Sequence, residues 1–236
     1  MNDELSDKRF FLTPPHPCSY LKDRTARTLF LDPREVVNAK TYSALTHAGF
    51  RRSGGHLYRP YCDGCKACVP VRVPVAEFRW SRRFRRIRRA NAAVVVSMRE
   101  AVFAERYFNL YASYIKSRHA DGDMHPPNVD QFQSFLLSSW TSSAFLLLEE
   151  HGKLLGVAVT DRVPDGLSAI YTFYDPALAK RSLGVLAVLA QIEHCVNNAI
   201  PYLYLGYWVR DSAKMHYKTD YRPIELLVGD RWVRLS

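Results

Sequence analysis

The sequence predicts an α+β fold, with strands and helices in successive stretches rather than in strict alternation. Three observations predict it. Between residues 144 and 174, three apolar and β-branched runs are separated by the turn signals His151-Gly152 and Pro164-Asp165-Gly166, the pattern of an antiparallel meander. A long apolar stretch from Ser182 to Asn198 then has helical length and leads into a strand-like aromatic run, Tyr202 to Tyr207. The first hundred residues are broken instead by Pro14-Pro15-His16-Pro17 and Ser53-Gly54-Gly55, and hold only short apolar runs. The predicted organisation is a small, basic, cysteine-containing N-terminal module over residues 1–100, followed by a second domain over residues 101–236.

The elements follow in order. Thr28 to Leu31 reads as a short strand. Trp80, Phe84 and Ile87 recur at i, i+4 and i+7, so Arg79 to Arg89 reads as a helix with one apolar face and arginines over the rest. Phe103, Tyr107, Leu110, Tyr111 and Tyr114 share a helix face, a loop follows at residues 121–127, and a second helix spans Val129 to Trp140. The meander is Ala144 to Glu149, Leu154 to Val163 and Ser168 to Tyr174. After the long helix and the Tyr202 to Tyr207 strand come a short helix over Lys214 to Tyr217 and a hairpin turning at Gly229-Asp230. From residue 144 on, this is the order of a GNAT-like N-acyltransferase core.

At 236 residues, with 47% hydrophobic and 24% charged residues, the composition is that of a globular protein with ample core material. The N-terminus lacks a charged-then-apolar leader, and no apolar run approaches the roughly 18 residues of a membrane span, so a cytoplasmic protein with no membrane partner is expected. The net charge of +10 is unevenly placed: residues 1–100 carry 20 Lys and Arg against 9 Asp and Glu. A field of that sign implies a polyanionic partner, RNA above all.

The densest charge is Arg79-Trp-Ser-Arg-Arg-Phe-Arg-Arg-Ile-Arg-Arg89, with seven arginines and no acid. Solvated charge runs usually mix signs, so Arg82, Arg83, Arg85, Arg86, Arg88 and Arg89 are expected to contact phosphates. Five cysteines, three of them within Cys62-Asp-Gly-Cys65-Lys-Ala-Cys68, suit a metal site or reduced thiols better than a disulfide framework. Cys18 would complete a four-ligand set with Cys62, Cys65 and Cys68 for zinc or an iron–sulfur cluster, the alternative being thiols packed in a small core. Cys195 sits in an apolar helical run and reads as core.

Where Tyr171-Thr-Phe-Tyr-Asp-Pro176 ends a strand and Arg181-Ser-Leu-Gly184 opens a helix, free backbone N–H groups are able to hold an anion. Acetyltransferases hold a cofactor pyrophosphate at such a place, but Leu186 stands where they need a small residue, which argues against coenzyme A. The stretch Leu203-Tyr-Leu-Gly-Tyr-Trp-Val-Arg-Asp-Ser-Ala-Lys-Met-His-Tyr-Lys-Thr-Asp-Tyr-Arg-Pro223 closely resembles a signature of the aminoacyl-tRNA-protein transferases. Ala48-Gly-Phe-Arg-Arg-Ser-Gly-Gly-His-Leu-Tyr-Arg-Pro60 resembles the N-terminal signature of the same family, and Tyr174-Asp-Pro176 with Ser182-Leu-Gly184 is similar to a third motif.

The resemblance runs from Cys18 to Pro223, and the chain's shortness resembles the bacterial branch that transfers leucine. It implies that leucine passes from leucyl-tRNA to proteins beginning with Asp or Glu, marking them for degradation by the N-end rule pathway. Arginine as the donated residue remains the alternative within the family, and a non-catalytic RNA-binding protein with a zinc module the alternative outside it. No cofactor is required for the chemistry. Asp175 is the candidate for orienting or deprotonating the acceptor amine, beside Tyr171 and Tyr174. Ser182, Gly184, Tyr207 and Tyr217 are further substrate-binding candidates. An acidic acceptor needs a cation, for which Lys214, Lys218 and Arg222 are candidates with Arg51 and Arg52 as rivals.

Overall fold

Proline and glycine turns cut the first sixty residues into short pieces: α1 (Asp3–Ser6), β1 (Phe10–Leu12), β2 (His16–Pro17), β3 (Thr25–Ala26), β4 (Thr28–Leu31), α2 (Ala39–His47), β5 (Arg51–Ser53) and β6 (His56–Pro60). The computed structural model describes residues 3–122, 124–138 and 140–235. Strands β1, β4, β6 and β5 pair antiparallel in that order. The β5–β6 turn needs a glycine, because Gly54 has φ +59° and a Cβ there would stand 2.7 Å from the Ser134 carbonyl oxygen. Helix α2 starts at Asn38, whose side chain accepts from the Thr41 amide at 2.9 Å. It lays Tyr42 and Leu45 against Leu31, Phe50 and Leu57 in a small core.

The rest of the chain supplies β7 (Val69–Pro74), α3 (Arg82–Ala90), β8 (Val95–Glu100), α4 (Glu105–Arg118), α5 (Val129–Leu136), β9 (Ser143–Glu150), β10 (Lys153–Val163), β11 (Gly166–Tyr174), α6 (Leu183–Asn197), β12 (Tyr202–Trp208), β13 (Ile224–Val228) and β14 (Arg231–Leu235). Eight of these strands form one sheet, in the order β14-β13-β7-β12-β11-β10-β9-β8. Strands β9, β10 and β11 are the expected antiparallel meander. The sheet takes β7 and β8 from before residue 101 as well. Mixed α and β architecture is thus what the sequence predicted.

Alternation along the strands gives the sheet two apolar faces. Leu146 and Leu148 of β9, Ala158 of β10 and Leu203 and Leu205 of β12 pack with α6 and with Phe84 and Ile87 of α3. Phe145 and Leu147 of β9 and Val157 and Val159 of β10 pack with Tyr107, Tyr111 and Ile115 of α4 and Phe132 of α5.

Three boundaries move. Helix α3 begins at Arg82 rather than near Arg79, because Ser81 caps it, its Oγ accepting from the Phe84 amide at 3.2 Å. Trp80 therefore stands before the helix, edge-on to Phe78. Helix α5 ends at Leu136, and the single helix expected to Trp140 does not form among the described residues; Ser139 there and Asp123 in the preceding loop lie outside them. The short helix expected over Lys214 to Tyr217 is a 3-10 helix at His216–Asp220.

Strands β11 and β12 are the sheet's parallel neighbours, and α6 is the crossover between them. Their pairing stops at Ser168↔Tyr204, although β11 runs on to Tyr174 and β12 to Trp208. Beyond that point β11 is held by β10 and β12 by β7 on their outer sides. The inner edges form a wedge.

Candidate active site

Arg51 occupies the apex of this wedge. Alternation along β5 sends Arg51 and Arg52 to opposite sides. Arg52 goes to a fully buried ion pair, its Nε 2.5 Å and its NH2 3.0 Å from the two oxygens of Asp161, with carbonyls of Gly54, Phe135 and Leu136 taking its remaining hydrogens. Tyr42 and Ser143 also donate to Asp161, at 2.7 and 2.6 Å. Arg51 is half-buried; its NH1 donates to Ser168 Oγ at 2.7 Å and its NH2 to the Ala169 carbonyl, both on β11. Its guanidinium lies against β12 at Gly206, where φ is +77° and a Cβ would stand 3.0 Å from Nε and 3.2 Å from Cζ. The β7–β12 register shifts between Tyr204 and Gly206, so a bulge seats the arginine.

The next residues of β12 and the loop beyond it face the same place. The Tyr207 hydroxyl is buried and donates to the Gly49 carbonyl at 2.8 Å. Lys218 is 7% exposed and donates to the Tyr207 carbonyl at 2.7 Å. Burial, and then the Arg51 charge, bring the Lys218 ammonium down to about 7, with Cys68 working in the opposite direction. Tyr20 is pushed up to about 12, chiefly by burial, with Tyr58, Cys68, Arg51 and Cys18 as neighbours. Arg51, Tyr207 and Lys218 are thus brought together, with Tyr20 and Tyr58 beside them. Of the other cations, Lys214 is exposed and faces His119, whose imidazole it helps burial to hold below its usual range. Arg222 receives the Arg79 amide on its backbone carbonyl at 2.8 Å. Tyr217 is exposed beside Tyr221.

The end of β11 is a separate locality. Tyr171 packs among Tyr111, Tyr114 and Phe135, and its buried hydroxyl has no hydrogen-bond partner. Tyr174 lies 5.0 Å from Tyr114, ring centre to ring centre. Asp175 is occupied: one oxygen accepts from the Ala177 amide at 3.0 Å and the other pairs with Lys153 at 3.0 Å. Arg181, which the sequence set at the start of the long helix, is bidentate to Glu150 at 2.8 Å. Ser182 has left-handed backbone angles where α6 begins, and a Cβ on Gly184 would stand 3.3 Å from the Tyr174 ring.

The four cysteines come near one another without assembling a site. Burial first, then Cys18, Cys62 and Cys65, push the Cys68 thiol up to about 12. Cys18 Sγ accepts from the Leu21 amide and Cys62 Sγ from the Arg27 amide, each at 3.4 Å. Among the described residues, no group of three or more His, Cys, Asp or Glu side chains is placed to hold a metal ion. Cys18, Cys62, Cys65 and Cys68 are neighbours, and none of them is in a disulfide.

On α3, Arg83 pairs with Asp220 at 2.6 Å and Arg88 with Glu193 at 3.2 Å. No acidic side chain among the described residues pairs with Arg82, Arg85, Arg86 or Arg89, which are all exposed. Phe84 stacks on Tyr221 at 5.0 Å, so the arginine helix is fixed directly to the loop that carries Lys218. No helix is long and apolar enough to cross a membrane among the described residues.

Sequence reasoning missed Asp161, Ser168 and Gly206. The signal for Gly206 was available: a glycine inside an aromatic strand marks a bulge or a close approach. Asp161 and Ser168 sit within ordinary strand patterns and become visible only when β5 is laid across β10 and β11.

Similar proteins match this chain over nearly its whole length. An aspartate/glutamate leucyltransferase from Alcanivorax borkumensis is 53% identical over 233 residues, which is 99% of this chain and 96% of that protein. One from Pseudomonas fluorescens is 51% identical over 99% of both chains. Among solved structures, that of L-PGS from Bacillus licheniformis matches with 10% identity and a TM-score of 0.47, over 87% of this chain and 70% of that one. The family model described as arginine-tRNA-protein transferase, N terminus, matches residues 16–86, and the model for its C terminus matches residues 106–228. The chain belongs to the arginine-tRNA-protein transferase family.

Proposed function

We propose that this protein transfers leucine from leucyl-tRNA to the N-terminal α-amine of proteins that begin with Asp or Glu. The observation that carries the reading is the identity of about half over nearly the whole chain with two proteins named for that activity. The meander, the crossover helix α6 and the wedge beside parallel β12 support a GNAT-like acyltransferase core. Charge divides the chain in function: the exposed arginines of α3, within the first hundred residues, serve the tRNA, and the later part carries most of the transfer chemistry, even though one sheet runs through both.

The ester linking leucine to tRNA is already activated. The acceptor amine, with an ordinary pKa of about 7.7–8, is partly neutral near neutral pH. Its nitrogen attacks the ester carbonyl, the carbon–oxygen bond to the terminal ribose breaks, and the proton lost by the amine ends on the departing hydroxyl or in solvent. The protein aligns amine with ester and stabilises the charge that builds on the carbonyl oxygen. The wedge supplies the place, lined by Arg51, Tyr207 and Lys218, while Tyr171 and Tyr174 stand farther along β11, in their own locality against α4. Asp175, already committed to Ala177 and Lys153, keeps the end of β11 in position. Ser182 and Gly184 shape the start of α6 against Tyr174.

Arg82, Arg85, Arg86 and Arg89, with Arg83 and Arg88, bind tRNA phosphates. The acceptor's acidic side chain goes to a cation of the wedge or of the adjoining loop, where Lys214, Tyr217 and Arg222 lie. Because the donor is a charged tRNA, the reaction is cytoplasmic, and its product is a protein marked for N-end rule degradation. A metal at Cys18, Cys62, Cys65 and Cys68 would be structural, and metal analysis of the purified protein tests it. For the function itself, leucyl-tRNA and arginyl-tRNA are compared as donors to one peptide beginning with Asp. Transfer of leucine alone supports the reading; transfer of arginine alone keeps the family and overturns the donor.

A further inference from the structure

We infer that Arg51 and Lys218 together form the seat of the acceptor's acidic side chain, a two-cation carboxylate site at the apex of the wedge between β11 and β12. The inference rests on the transferase reading and sharpens it to two residues. Neighbouring β5 positions make the contrast. Arg52 is fully buried and neutralised by Asp161, so its role is complete without a ligand. Arg51 is half-buried, and its hydrogen bonds go only to neutral acceptors, Ser168 Oγ and the Ala169 carbonyl. Those two bonds use two of the five N–H groups of a guanidinium, leaving enough for a bidentate carboxylate. Among the described residues no acidic side chain pairs with Arg51 or with Lys218.

Lys218 Nζ is likewise committed to neutral partners, the Tyr207 carbonyl at 2.7 Å and the Met215 sulfur at 3.7 Å. Two cations sharing a desolvated place without a counter-charge oppose folding. Local conflicts of this kind are expected where a ligand resolves them. The depressed Lys218 ammonium, with Arg51 second only to burial among its causes, reports the same conflict. The bulge at Gly206 makes room for the guanidinium: φ is +77°, which favours glycine, and a Cβ there would press on Nε at 3.0 Å, so the strand is shaped to Arg51. A carboxylate entering the wedge supplies the missing charge and leaves the α-amine of the same residue pointing out of the apex, where the ester arrives.

The test measures steady-state leucine transfer to otherwise identical peptides beginning with Asp, Glu or Asn, for the wild type and for Arg51→Gln, Arg51→Lys and Lys218→Met. The expected result is a KM for the Asp peptide raised on the order of 10- to 100-fold in Arg51→Gln, with the KM for leucyl-tRNA unchanged and the preference for Asp over Asn lost. Arg51→Lys is expected to recover part of the preference, because it restores the charge without the fork. Retention of the wild-type preference by a folded Arg51→Gln or Arg51→Lys enzyme overturns the site. If Arg51→Gln does not fold, Arg51→Lys and Lys218→Met carry the same reading. Failure of the wild type to transfer leucine to any peptide falls instead on the transferase reading.

Discussion

Arg51 and Arg52 are adjacent basic residues in one strand, yet the fold gives them opposite surroundings. Arg52 and Asp161 are a buried pair with Tyr42 and Ser143 completing the shell. Removing one partner leaves the other charge buried and alone, so Asp161→Ala should cost about 3–5 kcal/mol in denaturant unfolding. Lys218 makes a different prediction. Its ammonium titrates at about 7 in the folded protein, against about 10.4 in an unfolded chain. A lowered folded value means that its contribution to stability is full above 10.4 and is lost as pH falls to 7. Between them the unfolded chain holds the extra proton, and unfolding free energy rises with pH by up to about 1.4 kcal/mol per unit. Cys68 and Cys195, both pushed up to about 12 from an ordinary 8.5, oppose this rise above that ordinary value: one offsets the Lys218 slope and the two together reverse it. Stability measured from pH 7 to about 8.5 should therefore rise in the wild type and stay flatter in Lys218→Met. Equal slopes would contradict the buried placement of Lys218.

Helix α3 carries the arginines but owes its place to two apolar residues, Phe84 and Ile87, and to the Ser81 cap. Its exposed arginines are predicted to bind phosphate without reading sequence. Replacing Arg85 and Arg86 by Gln should weaken tRNA binding at low salt and lower the salt-dependence slope by about 1 for each phosphate left without its arginine. The KM for the peptide should not move; a change there with tRNA binding intact would place the helix at the acceptor instead. Phe84→Ala tests the anchor, since the ring stacks on Tyr221 and links α3 to the loop of Lys218. A loss of about 3–5 kcal/mol is expected. The amphipathic spacing made this helix legible, whereas its true start depended on Ser81, a single capping hydroxyl. Strand β7 was harder to read, because Pro70 and Pro74 argue against an inner strand. The structure accommodates them because β13 pairs only with Val71 and Arg72, between the two prolines.

Across the whole molecule, the eight-stranded sheet gathers segments far apart in sequence, and the wedge exists only through that gathering. Arg51 comes from the N-terminal module, Ser168 and Ala169 from β11, Gly206 and Tyr207 from β12, and Lys218 from the loop after it. Local patterns therefore made the meander, α6 and the C-terminal hairpin legible, since each is fixed by periodicity and turn residues within ten to twenty positions. Which arginine of the pair faces the wedge was not legible, because it depends on where β5 crosses β10 and β11. The cysteine spacing, similarly, made the neighbourhood of the thiols legible, while no group of three or more potential ligands is placed to hold a metal ion among the described residues.

Leucine transfer is tested most directly by the bond that is made. A peptide beginning with Asp, incubated with leucyl-tRNA and the purified protein, is sequenced by fragment mass spectrometry beside the same peptide with its N-terminus acetylated. One leucine ahead of Asp in the free peptide, and none in the acetylated one, is the predicted result. Leucine on a lysine side chain, or no leucine with folded protein and intact leucyl-tRNA, would contradict it.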